Sequence, residues 1–502
     1  MCIVCQNQSQ PLSQSAQTTL HAALAAPSIN TFPAGPTTAD VIAIAEQLRT
    51  DYVATGDKTR SIKLDVQNGG TINVDISKLT DQGKAHAIRA MDMWTLATGL
   101  KFDANPDKQA KLHIDFDDDG GGAFAQYSIS GGTKIENAKV NVSLEWVSYY
   151  SKGIDSYSLQ TYLHEIGHVL GLAHSGVYAP PYEFATDTQF AQDSWQISVM
   201  SYFPQASNPN TGADWAFAIS PMLADIQAIQ DLYGVVKTVG AGNTIYGIGS
   251  NAGLTHELIG KYLETGTIGY DIAFTIIDKS GIDTLNLSTA VDDMAINLTP
   301  GSASNIYGSR ENLMIERNTV IERVYAGTAD DQVLGNTADN TVYGKSGADT
   351  LQGVAGRDTL FGGDDNDMLL GGGGRDNLRG GNGEDWLVAG AGRDVLSGGA
   401  DADHFMFANL IDSRVGHEDR IADFQRGRDL IDLSVIDAIT GQADDQAFDF
   451  IGTRSFTAAG QLRITADRSG IYLKGDVDGD GRADFAIFVD DRHHLAARDF
   501  IL

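Results

Sequence analysis

Residues 326–406 read AGTADDQVL GNTADNTVY GKSGADTLQ GVAGRDTLF GGDDNDMLL GGGGRDNLR GGNGEDWLV AGAGRDVLS GGADADHFM, nine blocks of nine residues without a gap. The first half of each block is rich in glycine, the sixth place is Asp or Asn, and the eighth place is apolar, from Val333 in the first block to Phe405 in the last. A sustained period of this kind indicates a solenoid in which each block supplies one turn and one short strand.

The Gly-Gly-x-Gly-x-Asp-x-apolar-x pattern is typical of the parallel β-roll that binds calcium. Glycine permits a tight turn where a side chain would clash, and the aspartate of each turn points at a cation shared with a neighbouring turn. Without that cation, the stacked carboxylates would repel one another and the thin core would not hold the coil. We therefore predict calcium ligands at Asp331, Asp349, Asp358, Asp367, Asp376, Asp385, Asp394 and Asp403. The alternative, a disordered Gly/Asp-rich linker, is disfavoured because nine blocks keep one register.

The composition of the whole chain limits its partners. Lys and Arg total 35 against 66 Asp and Glu, a net charge of −31, which argues against nucleic acid or an anionic membrane as a partner. The two cysteines, Cys2 and Cys5, exclude a disulfide framework. The sequence has no apolar run long enough for a membrane span, and its N-terminus does not resemble a cleavable secretory signal.

A second motif, TYLHEIGHVLGLAH, begins at Thr161. His164 and His168 are four residues apart, so on a helix they lie on one face and can share a metal. Gly171 permits a left-handed turn that brings His174 round as a third ligand. Three protein ligands and an open fourth position describe a catalytic zinc site. A helix with surface histidines is the alternative, and it accounts for the short His-Glu-x-x-His motif better than for the full pattern.

Three further features belong to this predicted site. Glu165 stands beside the first histidine, near enough to act as general base on a water molecule at the metal. Met200 and Tyr202 lie in SVMSY, where the extended zinc-protease pattern has a tight turn beneath the metal. The polar stretch around Pro180-Pro181 suits a pocket wall, and the edge strand Gly122–Ile129 is our candidate for pairing with an extended substrate.

Local patterns place these motifs in an α/β domain. We predict a helix capped by Asp40, a helix over Gln82–Thr98 that ends at Gly99, and a helix that Ser220-Pro221 opens and Gly234 closes. Two alternating strands, 61–66 and 71–76, flank the turn Asn68-Gly69-Gly70, as in a hairpin.

Together these motifs resemble the serralysin family of bacterial zinc metalloproteases, within the metzincins. The resemblance rests on His164–His174, on Met200 with Tyr202, on SPMLADIQAIQDLYG, on GNTIYGIGSN, on the repeats and on DVDGDGRADF. It implies that His164, His168 and His174 bind zinc and that Glu165 is the general base. It also implies that Met200 forms the Met-turn and that Tyr202 can coordinate zinc and then hydrogen-bond the transition state. Ser175 departs from the family, which usually has Pro there.

The resemblance further implies a secreted, extracellular, monomeric endopeptidase that acts on proteins or peptides. The family leaves the cell through a type I secretion exporter that reads the C-terminus, and the ending Asp499-Phe500-Ile501-Leu502 matches its usual acidic and apolar pattern. A proteinaceous inhibitor is a further implied partner. Calcium outside the cell would fold the roll, because a ligand that binds only the folded form stabilises it.

The predicted architecture is multidomain: an α/β metzincin zinc-protease domain, then an all-β parallel β-roll (RTX) and a β-rich C-terminal cap. The segments are a flexible leader or propeptide (1–38), the protease domain (39–236), a β-rich start of the C-terminal region (237–325), the roll (326–406), and a cap with the export signal (407–502).

Three questions stay open from the sequence. Asp476, Asp478 and Asp480, with Asp484 four residues after Asp480, resemble a calcium loop, but the loop is incomplete and an acidic turn is the alternative. Cys2 and Cys5 either lie idle in a removed leader or act as a zymogen switch in which one thiolate occupies the open zinc position. A calcium-dependent RTX adhesin without proteolysis is the alternative function, and an inactive relative of the protease ranks after it.

Overall fold

The structure is a computed structural model of the chain. It describes residues 32–33, 35–50, 61–104, 112–149, 153–178, 182–236, 240–265, 272–440, 446–490 and 495–502. Within these ranges the helices are α1 (Thr38–Thr50), α2 (Asp81–Thr98), α3 (Leu144–Tyr149), α4 (Tyr157–Val169), α5 (Phe184–Asp187), α6 (Leu223–Tyr233) and α7 (Leu254–Thr265), with short 3-10 turns at Gln205–Ser207 and Ala497–Asp499. None of the helices in the described ranges is long and apolar enough to cross a bilayer.

The strands fall into two groups along the chain. The first group is β1 (Lys63–Leu64), β2 (Thr71–Asp75), β3 (Lys101–Asp103), β4 (His113–Asp117), β5 (Ala123–Ser130), β6 (Lys134–Val142) and β7 (Phe217–Ala218). The second group is β8 (Ile245–Gly247), β9 (Ile272–Ile276), β10 (Thr284–Asn286), β11 (Ala295–Asn297), β12 (Ala303–Ile306), β13 (Ser309–Ile315), β14 (Arg323–Tyr325), β15 (Gln332–Leu334), β16 (Thr341–Ser346), β17 (Thr350–Gly356), β18 (Thr359–Asp364), β19 (Met368–Gly374), β20 (Asn377–Asn382), β21 (Trp386–Gly392), β22 (Val395–Ala400), β23 (His404–Met406), β24 (Asp419–Ile421), β25 (Leu430–Asp432), β26 (Asp449–Phe450), β27 (Gln461–Ala466), β28 (Ile471–Asp476), β29 (Phe485–Val489) and β30 (Phe500–Ile501).

Strands β1 to β6 form one sheet with the order β1-β6-β4-β2-β3, and β5 pairs with β6. The pairs in this sheet are parallel except that of β5 with β6, which is antiparallel. The predicted hairpin around Asn68-Gly69-Gly70 is wrong, because β1 pairs with β6, about 70 residues away, and not with β2. Helices α2 and α4 pack against one another, and α4 also contacts β5 and β6.

The predicted helix over Gln82–Thr98 is confirmed as α2, and Gly99 ends it in a left-handed conformation with φ 69°. Two predicted N-caps are wrong. The Thr37 hydroxyl caps α1 by accepting the backbone N–H of Asp40 at 3.2 Å, and the Asp40 carboxylate accepts hydrogen bonds from the backbone N–H and the hydroxyl of Thr37. Helix α6 begins at Leu223 instead of at Pro221, and the Asp225 carboxylate accepts the N–H of Met222 at 2.9 Å.

The repeats form two parallel sheets that face each other. Successive blocks alternate between the sheets, so β16, β18, β20 and β22 neighbour one another in one sheet and β15, β17, β19, β21 and β23 in the other. Residues 18 apart align across neighbouring strands, as Leu360 does with Leu378, so two blocks make one coil. Every eighth-place side chain is fully buried in the core between the sheets, from Val333 to Phe405. The chain is therefore α/β first and β-rich afterwards, as predicted.

One of these sheets reaches the α/β part of the molecule. Beyond β15 its order continues β11-β12-β13-β9-β7. The backbone N–H of Ala218 in β7 donates to the Gln160 side chain in α4 at 3.0 Å. Backbone pairing therefore runs without a break from the roll to the strand beside helix α4.

Candidate metal centre

Three imidazoles converge at one point. The Nε2 atom of His168 lies 3.1 Å from that of His164 and 3.1 Å from that of His174, and the third separation is 3.3 Å. Nitrogens about 2.0–2.1 Å from a tetrahedral zinc ion would be roughly 3.3 Å apart. The three side chains therefore fit one zinc ion.

The protonation of the imidazoles suits metal binding. The Nδ1 atom of His164 is 2.8 Å from the Val199 carbonyl, and that of His168 is 2.8 Å from the Leu172 carbonyl. Each carbonyl accepts an Nδ1–H donor, which leaves the Nε2 lone pair free. Burial holds the pKa of His164 down to about 3 and also lowers the pKa of His168 and His174. Neutral imidazole is the form that binds metal.

The local fold explains the convergence. Helix α4 begins after Ser156, whose hydroxyl accepts the Leu159 N–H at 3.2 Å, and it carries the first two histidines one turn apart. The chain turns at Gly171 with φ 101°, where a Cβ atom would lie 2.1 Å from the carbonyl oxygen of Ile62. Only glycine fits this approach, and the turn returns His174 to the other two imidazoles.

Glu165 and Tyr202 flank the three histidines. Glu165 is 6% exposed, and its Oε2 atom has no hydrogen-bond partner among the described residues. Burial raises the pKa of Glu165 to about 8, and a cation beside it would favour the carboxylate form. The Tyr202 ring lies 4.7 Å from the His174 ring and is half-exposed, and burial raises its pKa to about 12.

Met200 lies in a turn held by Asp225, a residue that the sequence analysis missed. The Met200 side chain is buried and contacts the backbone of Gly167 in α4. The fully buried Asp225 accepts the Ser198 hydroxyl at 2.6 Å and the Val199 N–H at 2.8 Å. Because the Val199 carbonyl orients His164, Asp225 supports the metal centre from α6. The sequence could have revealed Asp225 by its position three residues after Met222, at the start of helix α6.

Ser175, the departure from the family pattern, belongs to a second buried network. Its hydroxyl donates to Asp193 at 2.6 Å and lies 2.8 Å from the Tyr178 hydroxyl, which also contacts Asp193. The Tyr178 ring stacks on that of Tyr202 at 4.5 Å. A serine hydroxyl therefore fixes the chain after His174 where the family has a proline ring.

A cavity of about 420 Å³ opens beside Glu165. Its aromatic lining comes from Trp146, Tyr157, Trp195, Tyr182 and Tyr202, and Gly122 and Ala123 border it at the start of β5. Strand β5 pairs with β6 alone within the described ranges, and the start of β5 borders the cavity. The loop residues Pro180 and Pro181 lie outside the described residues, as do Cys2 and Cys5.

The repeat aspartates form two ladders along the roll. In each ladder, Oδ1 accepts the backbone N–H of the sixth-place residue one coil earlier, as Asp367 does from Asp349 at 2.9 Å. The other oxygen, Oδ2, is buried and has no hydrogen-bond partner in the described part of the chain at Asp349, Asp358, Asp367, Asp376, Asp385, Asp394 and Asp403. Burial raises the pKa of Asp367 to about 7 and that of Asp349 to about 8. Orphaned carboxylate oxygens fit calcium, which prefers oxygen ligands.

At the ends of these ladders the structure differs from the predicted set of calcium ligands. Both Asp331 oxygens accept backbone N–H groups, from Met294 at 2.8 Å and Gly327 at 2.6 Å, so this residue lacks the orphaned oxygen. Asp419, which the sequence analysis missed, accepts the Asp394 N–H at 2.7 Å and has a buried, unpartnered Oδ2. It follows Asp394 by 25 residues instead of 18, so no repeat register could reveal it.

The second acidic loop differs from its prediction in one member. Carboxylate oxygens of Asp476, Asp478 and Asp484 lie within 4.8 Å of one another, whereas Asp480 is not part of this group. The Asp480 carboxylate instead accepts the Arg482 N–H at 2.8 Å. Asp484, four residues further on, takes the place of Asp480 in this group because the chain turns back into β29.

Family models match two parts of the chain. The Matrixin model of peptidase M10 matches residues 71–194, and the model described as Peptidase M10 serralysin C terminal matches residues 236–368 and 360–502. Metallopeptidase AprA of Pseudomonas marginalis is 31% identical over 268 residues, which are 51% of this chain and 54% of that protein. Serralysin of Proteus mirabilis is 31% identical over 271 residues, 49% of this chain and 52% of that protein.

The chain thus spans about half the length of the curated relatives it matches. Among solved structures, a hatching-enzyme zinc-protease of the medaka Oryzias latipes matches at 16% identity with a TM-score of 0.25, covering 35% of this chain and 95% of that one. The family models together cover more than half of the sequence, including the whole region that carries the roll. The chain therefore belongs to the serralysin family of peptidase M10 metalloproteases.

Proposed function

We propose that this chain is a zinc endopeptidase that hydrolyses peptide bonds in proteins. The observation that carries the proposal is the convergence of three neutral imidazoles, with Nε2 atoms 3.1–3.3 Å apart, beside a buried carboxylate oxygen that lacks a partner. His164, His168 and His174 would hold the ion. A bound zinc ion supplies Lewis-acid chemistry at this point, activating water and polarising the scissile carbonyl.

The chain's own groups perform the remaining steps. The edge of β5 binds the substrate backbone as an added strand, and the aromatic cavity takes a substrate side chain. Glu165 accepts a proton from the attacking water and later delivers it to the leaving amine. The Tyr202 hydroxyl donates a hydrogen bond to the oxygen on which negative charge develops. Its high pKa keeps that proton in place at neutral pH.

The proposed role of the roll is structural. The orphaned oxygens of the aspartate ladders would bind several calcium ions, and Asp419 would extend one of the two ladders beyond the repeats. The loop of Asp476, Asp478 and Asp484 is a further candidate calcium site, although its oxygens are largely hydrogen-bonded within the loop. Calcium would then control folding after type I export to the extracellular space, as the family resemblance implies. On the same ground we propose that the protein is a monomer and that a proteinaceous inhibitor binds it.

The test compares wild type with Glu165→Gln, which keeps the side-chain size and removes the base. We expect one zinc ion per chain in both proteins by elemental analysis, and hydrolysis of casein by wild type alone. Chelation of zinc should abolish the wild-type activity, and added zinc should restore it. Hydrolysis by Glu165→Gln at the wild-type rate would contradict the proposed mechanism. Absence of zinc from the wild type would favour the adhesin alternative.

A further inference from the structure

The hairpin β12–β13 contacts two segments that adjoin the lining of the cavity, at Gln196 and at Asp214. The Arg310 guanidinium donates to the Asp214 carboxylate from Nη2 at 2.7 Å and from Nε at 3.0 Å. The backbone N–H of Arg310 donates to the same carboxylate at 3.0 Å, and the N–H of Asp214 returns a bond to the Arg310 carbonyl at 3.2 Å. Four hydrogen bonds therefore join Arg310 of the hairpin to Asp214 of the segment that leads to the cavity.

The neighbouring hairpin residue makes a second, buried contact. The Glu311 carboxylate accepts a hydrogen bond from the Gln196 amide, and both side chains are almost completely buried. Its Oε1 atom also approaches Gly212 so closely that a Cβ there would lie 2.7 Å from it. Burial of the carboxyl group raises the pKa of Glu311.

The hairpin tip has an unfavourable backbone conformation. Glu311 has φ 54° and Tyr307 has φ 53°. Both values lie in the left-handed region, which residues other than Gly, Asn and Asp rarely adopt. Strain of this kind persists only where surrounding contacts fix it, and it clusters at functional positions. The Asn305 side chain accepts the Glu311 N–H at 2.8 Å and so fixes the strained residue.

Both contacts lead to the cavity lining. Gln196 directly follows Trp195, whose indole N–H donates to the Ser201 carbonyl at 2.9 Å in the Met-turn. Asp214 precedes Trp215, whose ring packs on Phe217 at 4.6 Å, and Phe217 in turn contacts the cavity residue Tyr157 at 6.1 Å. The hairpin therefore contacts the chain neighbour of Trp195, and it reaches Tyr157 through the rings of Trp215 and Phe217.

We propose that Arg310 and Glu311 are positioning residues that set the width of the cavity and thereby its selectivity for a large apolar or aromatic substrate side chain. The inference rests on the proposed function, since it concerns the same cavity. A hairpin outside the sheet of β1 to β6 would thereby influence substrate choice. Because β13 belongs to the sheet that continues into the roll, the roll supports this cavity through backbone pairing.

The test uses binding as well as turnover. Two peptide hydroxamates, identical except for Phe or Ala beside the metal-binding group, are titrated calorimetrically into zinc- and calcium-loaded protein, and matched peptides are assayed for kcat and KM. Wild type should prefer Phe to Ala. In Glu311→Ala this preference should fall about tenfold, the size of effect that a changed apolar pocket produces. Glu311→Gln should retain it, because its side-chain carbonyl can still accept the Gln196 hydrogen bond.

Arg310→Ala should lower the Phe preference in the same direction. Arg357→Ala is the matched control, because Arg357 makes an exposed ion pair with Asp339 at 3.2 Å on the roll, far from the cavity in the chain. Zinc content and the urea midpoint report whether each variant is folded. An unchanged Phe-to-Ala ratio in folded Glu311→Ala, or no preference in wild type, would overturn the inference. Hydroxamate binding without any peptide hydrolysis by wild type would refute the proposed function alone.

Discussion

The glycine that turns the chain towards His174 allows a quantitative test of the local fold. In Gly171→Ala two separate costs add. The residue has φ 101°, and an L-residue in a left-handed conformation costs about 1–2 kcal/mol. The new Cβ would also lie 2.1 Å from the Ile62 carbonyl oxygen, a backbone atom beside β1 that cannot rotate away. Forced overpacking of this kind costs about 1–3 kcal/mol more.

Gly69→Ala is the matched control, because Gly69 has φ 78° but nothing lies within 4 Å of its Cβ position. It should lose about 1–2 kcal/mol from the conformational cost alone, whereas Gly171→Ala should lose about 2–5 kcal/mol. Urea denaturation of the two variants at equal zinc and calcium concentrations measures the difference. Competition with a zinc chelator should show weaker zinc binding in Gly171→Ala only, because His174 is displaced. Equal losses of stability with equal zinc affinity would refute the reasoning.

Three further predictions concern other parts of the molecule. Asp225→Asn should lower the unfolding free energy by about 1–3 kcal/mol and weaken zinc binding, because an amide cannot accept all the hydrogen bonds of the carboxylate; unchanged urea and zinc titrations would contradict this. Val354 has φ 84° where the aligned residues of the next two coils, Gly372 and Gly390, are glycines, so Val354→Gly should stabilise the calcium-loaded chain by about 1 kcal/mol in denaturant titrations, and a loss of stability would count against the strain. When calcium is removed by a chelator, the free energy of unfolding should fall as pH rises from 5 to 8. Burial raises the pKa of Asp367 and Asp385 from 3.8 to about 7, so the folded chain binds these protons more tightly than the unfolded chain does. Melting temperatures followed by circular dichroism should therefore drop over this range and recover with calcium, and a rise without calcium would contradict the orphaned-carboxylate account.

The sequence was sufficient to predict the parts of the structure that depend on short-range spacing. The positions of His164 and His168 follow from the helical repeat, and the buried eighth-place residues of the roll follow from the nine-residue period. Gly99 and Gly234 end their helices with positive φ because glycine alone adopts that conformation cheaply.

The parts that depend on distant partners were not predictable. Strand β1 has too few residues to specify its partner, and that partner, β6, lies about 70 residues further along the chain. The support that Asp225 gives to the Met-turn and the position of Asp419 at the end of a ladder both arise from tertiary contacts. The contacts of Arg310 with Asp214 and of Glu311 with Gln196 join residues about 100 positions apart, for which no local pattern exists.

The most direct test of the whole account is anomalous diffraction at the zinc absorption edge from crystals of the purified chain. The account predicts one strong peak in contact with the Nε2 atoms of His164, His168 and His174, with the Glu165 carboxylate facing its open side. A zinc peak bound elsewhere, or histidines turned away from one another with no ion between them, would contradict it.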